Sequence, residues 1–203
     1  MKQQLASLLI AILLPVPFTS QAPTGQWGDP TFQNGCEEAA LVMAMHWVNK
    51  TPIASPAQAV REIRAITAFE ASHYHGEPDR SAADTVQLMK DYYHYAHVVV
   101  QNDVGVNDIK QALQHGKLVI APMDGQKLHN PFYTPPGPLT HMLVITGYDS
   151  RTDEFITNDS GTRRGSGYRY GASVLFAAIR DYPTGSHVPT TRVRKNIIIV
   201  SSS

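Results

Sequence analysis

Residues 140–159, THMLVITGYDSRTDEFITND, place two apolar, β-branched runs on either side of a polar stretch, which is the pattern of a β-hairpin. The reading predicts a strand over residues 140–147, a turn through Asp149-Ser150-Arg151-Thr152-Asp153, and a return strand over residues 154–158. With the turn centred near Ser150, His141 and Asp159 stand directly opposite each other on one face. Cβ atoms of such partners are ~4.5–5.5 Å apart. A carboxylate at that place fixes the tautomer of the imidazole and leaves its other ring nitrogen for a nucleophile, the orienting role of the third member of a triad. A slip of one residue sets Asn158 there instead, and an amide also orients a histidine.

Upstream of the hairpin the pattern is helical. Residues 36–48, CEEAALVMAMHWV, combine strong helix formers with a preceding glycine and acidic residues in the first turn, where they suit the positive helix end. The apolar residues run almost all the way round, so this helix is expected to be central and buried. Further helices are predicted over residues 55–68, 82–95, 107–115, where Asn107 caps and Gly116 stops the element, and 172–182. Strands are expected to begin only after Gly116, over 118–122, the hairpin, and 196–200. Residues 15–35, rich in Pro, Gly, Gln, Asp and Asn, read as an extended lead-in. Helices first and an antiparallel sheet after them give an α+β class, each kind of element packing as its own layer.

With 203 residues there is room for one domain with a proper core, taken as residues 15–203. Lys plus Arg and Asp plus Glu balance at 17 each, so no basic stripe is offered to phosphates, which argues against nucleic acid as a partner. Residues 1–14, MKQQLASLLIAILL, set a lysine before about ten apolar residues. That is half of the ~20 that a spanning helix needs, and it resembles a bacterial-type secretory signal or a short anchor. The expectation is export, with the chain secreted or held to the membrane through residues 1–14 on the extracytoplasmic side, and a monomer.

One cysteine excludes an intrachain disulfide and any cysteine-rich metal site, leaving an inert core residue or a reactive thiol. Cys36 opens the central helix, where unpaired first-turn N–H groups favour a thiolate. Glu37 and Glu38 oppose ionisation if they face the sulfur, so they are expected to point elsewhere or to meet a cation.

Four segments, VPFTSQAP at 16–23, QNGCEEA at 33–39, THMLVITGYD at 140–149 and NDSGT at 158–162, resemble the C39-like peptidase family of papain-like proteins. The resemblance implies a papain-like fold, with an N-terminal helix carrying Cys36 packed on an antiparallel sheet carrying His141 and Asp159. It also implies cysteine-type hydrolysis of amide bonds in peptide or protein substrates, with no cofactor or metal required. Cys36 is then the nucleophile, His141 its base and Asp159 the orienter, and Gln21 resembles the family's oxyanion-hole glutamine, with Gln26 and Gln33 as alternatives. Cys36-Glu37 replaces the Cys-Gly pair of the bacteriocin-processing branch, so processing of double-glycine leaders is not implied. Two other function classes fit the same residues: a non-catalytic peptide-binding module and a cell-wall amidase or transpeptidase.

Three other features read as scaffold. His73-Tyr74-His75 with Glu77 and Asp79 fixes no third metal ligand by spacing, and the glycine-rich run 161–167 opens no helix and reads as a turn flanking the cleft. The proline-rich run 130–138 cannot be regular structure and reads either as a substrate-specificity loop overhanging the site or as an ordinary crossover.

Overall fold

A computed structural model describes residues 11–76, 78–185, 187, 190 and 192–202. The first ten residues of the signal-like segment, and Glu77 of the His73–Asp79 run, lie outside the described residues. At the end of the signal-like segment, Ile12–Leu13 pair with the strand that carries His141.

In chain order the elements are β1 (Ile12–Leu13), α1 (Pro30–Gln33), α2 (Cys36–Val48), α3 (Pro56–His73), α4 (Ala82–Tyr93), β2 (Val98–Gln101), α5 (Val106–Gln114), β3 (Leu118–Met123), β4 (His141–Asp149), β5 (Glu154–Asn158), β6 (Tyr168–Gly171), α6 (Ala172–Ala178) and β7 (Ile197–Val200), with a 3-10 turn at Gly125–Leu128. Their starts are chemically marked. Asp29 accepts from the Thr31 N–H ahead of Pro30, Ser55 from Gln58 ahead of Pro56, and Ser81 from Asp84, three side-chain caps on otherwise orphan donors. At α5 the expected cap Asn107 is already inside the helix, and the Asp108 carboxylate accepts from the Gly105 N–H instead. The lead-in is less extended than its composition suggests, since it contains α1.

All strands are antiparallel in one sheet of order β2-β7-β3-β4-β5-β6, and β1 adds to β4 beyond the end of β3. Two findings depart from the sequence reading. β2 precedes α5, so strands and helices interleave, and the sheet is covered on both faces. On one side α2, α3 and α4 pack on Leu118, Ile120, Met142, Val144, Ile198 and Val200; on the other α5 and α6 pack on Val119, Ala121, Leu143, Ile145, Ile197 and Ile199. Burial on both faces is why β3 and β4 are buried at every position and read as continuous apolar runs.

Helix α2 is buried at eleven of its thirteen positions. Truncating a fully buried residue such as Leu41 or Met43 costs about 2–5 kcal/mol. A typical hydrogen bond contributes about 1 kcal/mol. Packing therefore sets where α2 sits, and the polar groups at its start inherit that position. Gly35 allows the approach to α1, because a Cβ there would meet the Thr31 carbonyl oxygen at 2.7 Å.

The hairpin register differs from the expected one in an instructive way. Asp149 pairs with Glu154, leaving a four-residue loop, and a bulge between Ile145 and Gly147 shifts the ladder so that Val144 faces Asn158. Continued, that register sets His141 across from Gly161, so Asp159 is its diagonal neighbour, displaced by two positions from the expected partner. The bulge decides the face. It keeps Leu143, Ile145 and Tyr148 on one side of the sheet together with Phe155, and Asp159 follows Phe155 at even spacing. Asn158 points the other way and donates to the carbonyls of Val16 and Pro17 while accepting from the Gly167 N–H.

The bulge is held by Thr146, whose carbonyl accepts from Leu14 and whose hydroxyl donates to the Ile156 carbonyl. At Gly147 an added Cβ would lie 2.2 Å from the Ile12 carbonyl oxygen, so β1 docks only on glycine. Gly147→Ala is therefore expected to displace β1 and lower stability by about 1–3 kcal/mol in urea denaturation, with the transition remaining cooperative.

Candidate active site

A cleft of about 1090 Å³ opens where the N-terminus of α2 meets the start of β4. Gln21, Trp27, Cys36, Asp79, Tyr133 and His141 contribute to its walls. The proline-rich run lines it from Phe132 to Thr140, and Gly161 to Arg164 form the flank opposite.

Cys36 is the first residue of α2, and the residue before it, Gly35, makes no side-chain cap on that helix end. The thiol is 6% exposed and donates a hydrogen bond to Oε2 of Glu37 at 2.9 Å. This corrects the expectation that Glu37 points away. Burial, and then the charge and hydrogen bond of Glu37, push the Cys36 thiol well above the ordinary cysteine range. Glu37 turns inward because three donors meet it there: the thiol, the Tyr182 hydroxyl at 2.8 Å and the Arg80 backbone N–H at 3.2 Å. Burial nevertheless raises its own pKa above the usual carboxylate value.

Glu38 leaves the cleft for α3, where it accepts from the Thr67 hydroxyl and lies beside Glu70. Glu70 forms an ion pair with Arg80, both almost fully buried. Burial and then the charge of Glu70 hold Glu38 well above the carboxylate range, which keeps a proton on it. Arg80 thus neutralises one acid of the group while its backbone serves another.

His141 is the first residue of β4 and 2% exposed. Its Nε2 lies 2.9 Å from Oδ1 of Asp159, so Nδ1 is the nitrogen left for the cleft. Asp159 is fully buried and takes every lone pair into use. Oδ1 also accepts from the Gly161 N–H at 3.0 Å, and Oδ2 accepts from Tyr133 and Tyr170 hydroxyls at 2.6 Å each and from the Asn130 amide at 3.2 Å. Burial alone would raise the pKa of this carboxyl, but His141 and the two tyrosines outweigh it and bring it below the usual value. The Tyr133 ring meets the imidazole edge to face at 5.6 Å between centroids. Gly161 is needed in this corner, since a Cβ would approach Tyr133 at 2.9 Å and His141 at 3.0 Å.

Gln21 lines the cleft beside Cys36, yet its side-chain amide donates to the carbonyls of Phe32 at 3.0 Å and Gln33 at 2.9 Å. Both amide hydrogens are therefore engaged, and service to an oxyanion requires one of them to be released. Gln33 is exposed at the cleft, whereas Gln26 is not part of its wall. Among the described residues no group of three His, Cys, Asp or Glu side chains is placed to hold a metal ion. His73 stacks on Phe69 at 3.9 Å, and Asp79 binds Thr140 and His187.

The sequence reading missed Tyr133, Tyr170, Asn130 and Gly161 as partners of Asp159, and Tyr182 as the partner of Glu37. Asn130 and Tyr133 lie in the proline-rich run and Gly161 in the run expected to flank the cleft, but nothing in the sequence assigned any of them to Asp159.

No curated protein matches the sequence. Among solved structures, the crystal structure of a protein from Bacillus anthracis classed with the C39-like peptidases superimposes with a TM-score of 0.53 at 15% identity, covering 96% of this chain and 99% of the other, which speaks for the fold. The model of the Peptidase_C39 like family matches residues 13–182, so the chain belongs to that family.

Proposed function

We propose that the chain is a cysteine-type peptidase of papain-like layout acting on peptide substrates. The observation that carries this reading is the buried His141–Asp159 pair, which opens its free imidazole nitrogen toward the same cleft as the thiol at the start of α2. Cys36 passes its proton to Nδ1 of His141 and attacks the substrate carbonyl. The Cys36 backbone N–H, together with Gln21 once an amide hydrogen is released, stabilises the oxyanion. The imidazolium then protonates the leaving amine, and water, deprotonated by the same histidine, frees the acyl group and restores the thiol. Asp159 keeps the imidazole in the required tautomer throughout.

The setting we propose is outside the cytoplasm, supported by the lysine and apolar run of residues 1–14. Among the described residues no helix is long and apolar enough to cross a membrane. A second reading, a peptide-binding module without catalysis, is favoured by one observation: the thiol is bonded to a carboxylate and not to the histidine.

Hydrolysis of a mixed peptide library, followed by mass spectrometry, separates the two. The peptidase reading expects new termini with the wild type and none with Cys36→Ala, while the binding module yields none with either. Asp159→Asn is expected to lower kcat by roughly 10²–10⁴ with little change in KM, the signature of a misplaced tautomer. Tyr133→Phe removes a hydrogen bond to a buried carboxylate, so it is expected to lower stability by about 1–3 kcal/mol and kcat several-fold, read by thermal melting and peptide kinetics.

A further inference from the structure

The nucleophile of the proposed peptidase sits in a contact that a thiolate does not tolerate. If Cys36 lost its proton while Glu37 stayed ionised, two negative charges would share a buried site 2.9 Å across. The groups around Glu37 leave little to relieve this. From α2 it is faced by Cys36 and feels the nearby Glu38, from the chain after α6 it meets the Tyr182 hydroxyl, and from the stretch before α4 Asp79 and the Arg80 backbone N–H. The Arg80 guanidinium is turned to Glu70 on α3. Asp79 adds a further negative charge, and among the described residues no cation pairs with the Glu37 carboxylate.

We infer that Glu37 is a positioning residue that sets the protonation state of Cys36: ionised, it holds the proton on the thiol; protonated, it donates a hydrogen bond to the thiolate. The inference rests on the reading of Cys36 as nucleophile and His141 as base. The Sγ–H bond breaks, its proton goes to Nδ1 of His141, and the Glu37 carboxyl retains its own proton and turns it toward the sulfur. The reactive form, thiolate with imidazolium and neutral Glu37, thus carries one more proton than the resting form in which the thiol donates to carboxylate. Reactivity is expected to increase as pH falls and Glu37 gains its proton, which burial moves above the usual carboxylate range. At lower pH still it declines as the thiolate itself is protonated. Tyr182 and Arg80 hold the Glu37 carboxyl in place through this exchange.

The test is the rate of iodoacetamide alkylation of Cys36 in the full chain from about pH 4 to about pH 10. Wild type is expected to show a maximum on the acid side and a fall as Glu37 ionises, with no recovery in the range where an ordinary thiol ionises, because burial and Glu37 hold this one well above it. Glu37→Gln offers an amide donor at every pH, so it is expected to lose the fall and to label about tenfold faster or more near pH 7.5, the equivalent of one pKa unit or more. The same profile in both proteins, or slower labelling in Glu37→Gln, overturns the inference. Should that variant melt early, Tyr182→Phe serves instead: without the hydroxyl the carboxylate becomes more basic and the fall moves to higher pH, whereas a fall at unchanged pH overturns the inference. Adding His141→Ala to Glu37→Gln separates two failures. Fast labelling that disappears supports the ion pair, and fast labelling that persists keeps the role of Glu37 while rejecting His141 as the base.

Discussion

The carboxylate of Asp159 has no exposed surface, and a buried charge persists only where its lone pairs are met. Its donors come from four parts of the chain: His141 at the start of β4, Asn130 and Tyr133 in the loop before it, Gly161 just beyond β5, and Tyr170 on β6. Meeting that one charge fixes the imidazole, closes the proline-rich loop over the cleft and anchors the glycine-rich flank. The interactions are mutually dependent, since removing one donor leaves the buried charge less fully met and loosens the others' geometry.

Much of this was legible in the sequence, and the parts that were not have physical reasons. Helix α2 and strand β5 begin and end where the residues say they do, because Gly35 and the polar turn before Glu154 leave little choice. Strand β2 was passed over: it is four residues long, too short for a period to show, and the helix before it, expected to run to residue 95, ends at Tyr93. The register was read with the right face and the wrong partner. Neither the four-residue loop nor the bulge at Thr146 has a unique sequence sign, yet together they displace the pairing by two positions, which preserves the side of the sheet. The second-choice partner Asn158 lies on the opposite side for the same reason. The tyrosines and Asn130 converge on Asp159 only through the tertiary fold, and no local pattern announces them.

Glu37 shows how charge arguments made along a helix can fail. Repulsion from a thiolate argued that the side chain turns away, but the competing effect was larger: an inward carboxylate meets the thiol, Tyr182 and the Arg80 backbone together. The helix end that favours a thiolate and the carboxylate that opposes it thus act on one sulfur. A centre built this way is quiet when Glu37 is ionised.

The central claim is that Cys36 forms a covalent acyl intermediate whose fate depends on His141. Its most direct measurement is intact-protein mass spectrometry after mixing the chain with an activated peptide ester at mildly acidic pH. Papain-like chemistry predicts an adduct of acyl mass on Cys36 that decays as the free acid appears, and that is formed slowly or not at all by His141→Ala. No adduct on Cys36 at any pH, or an adduct formed equally well without His141, would contradict it.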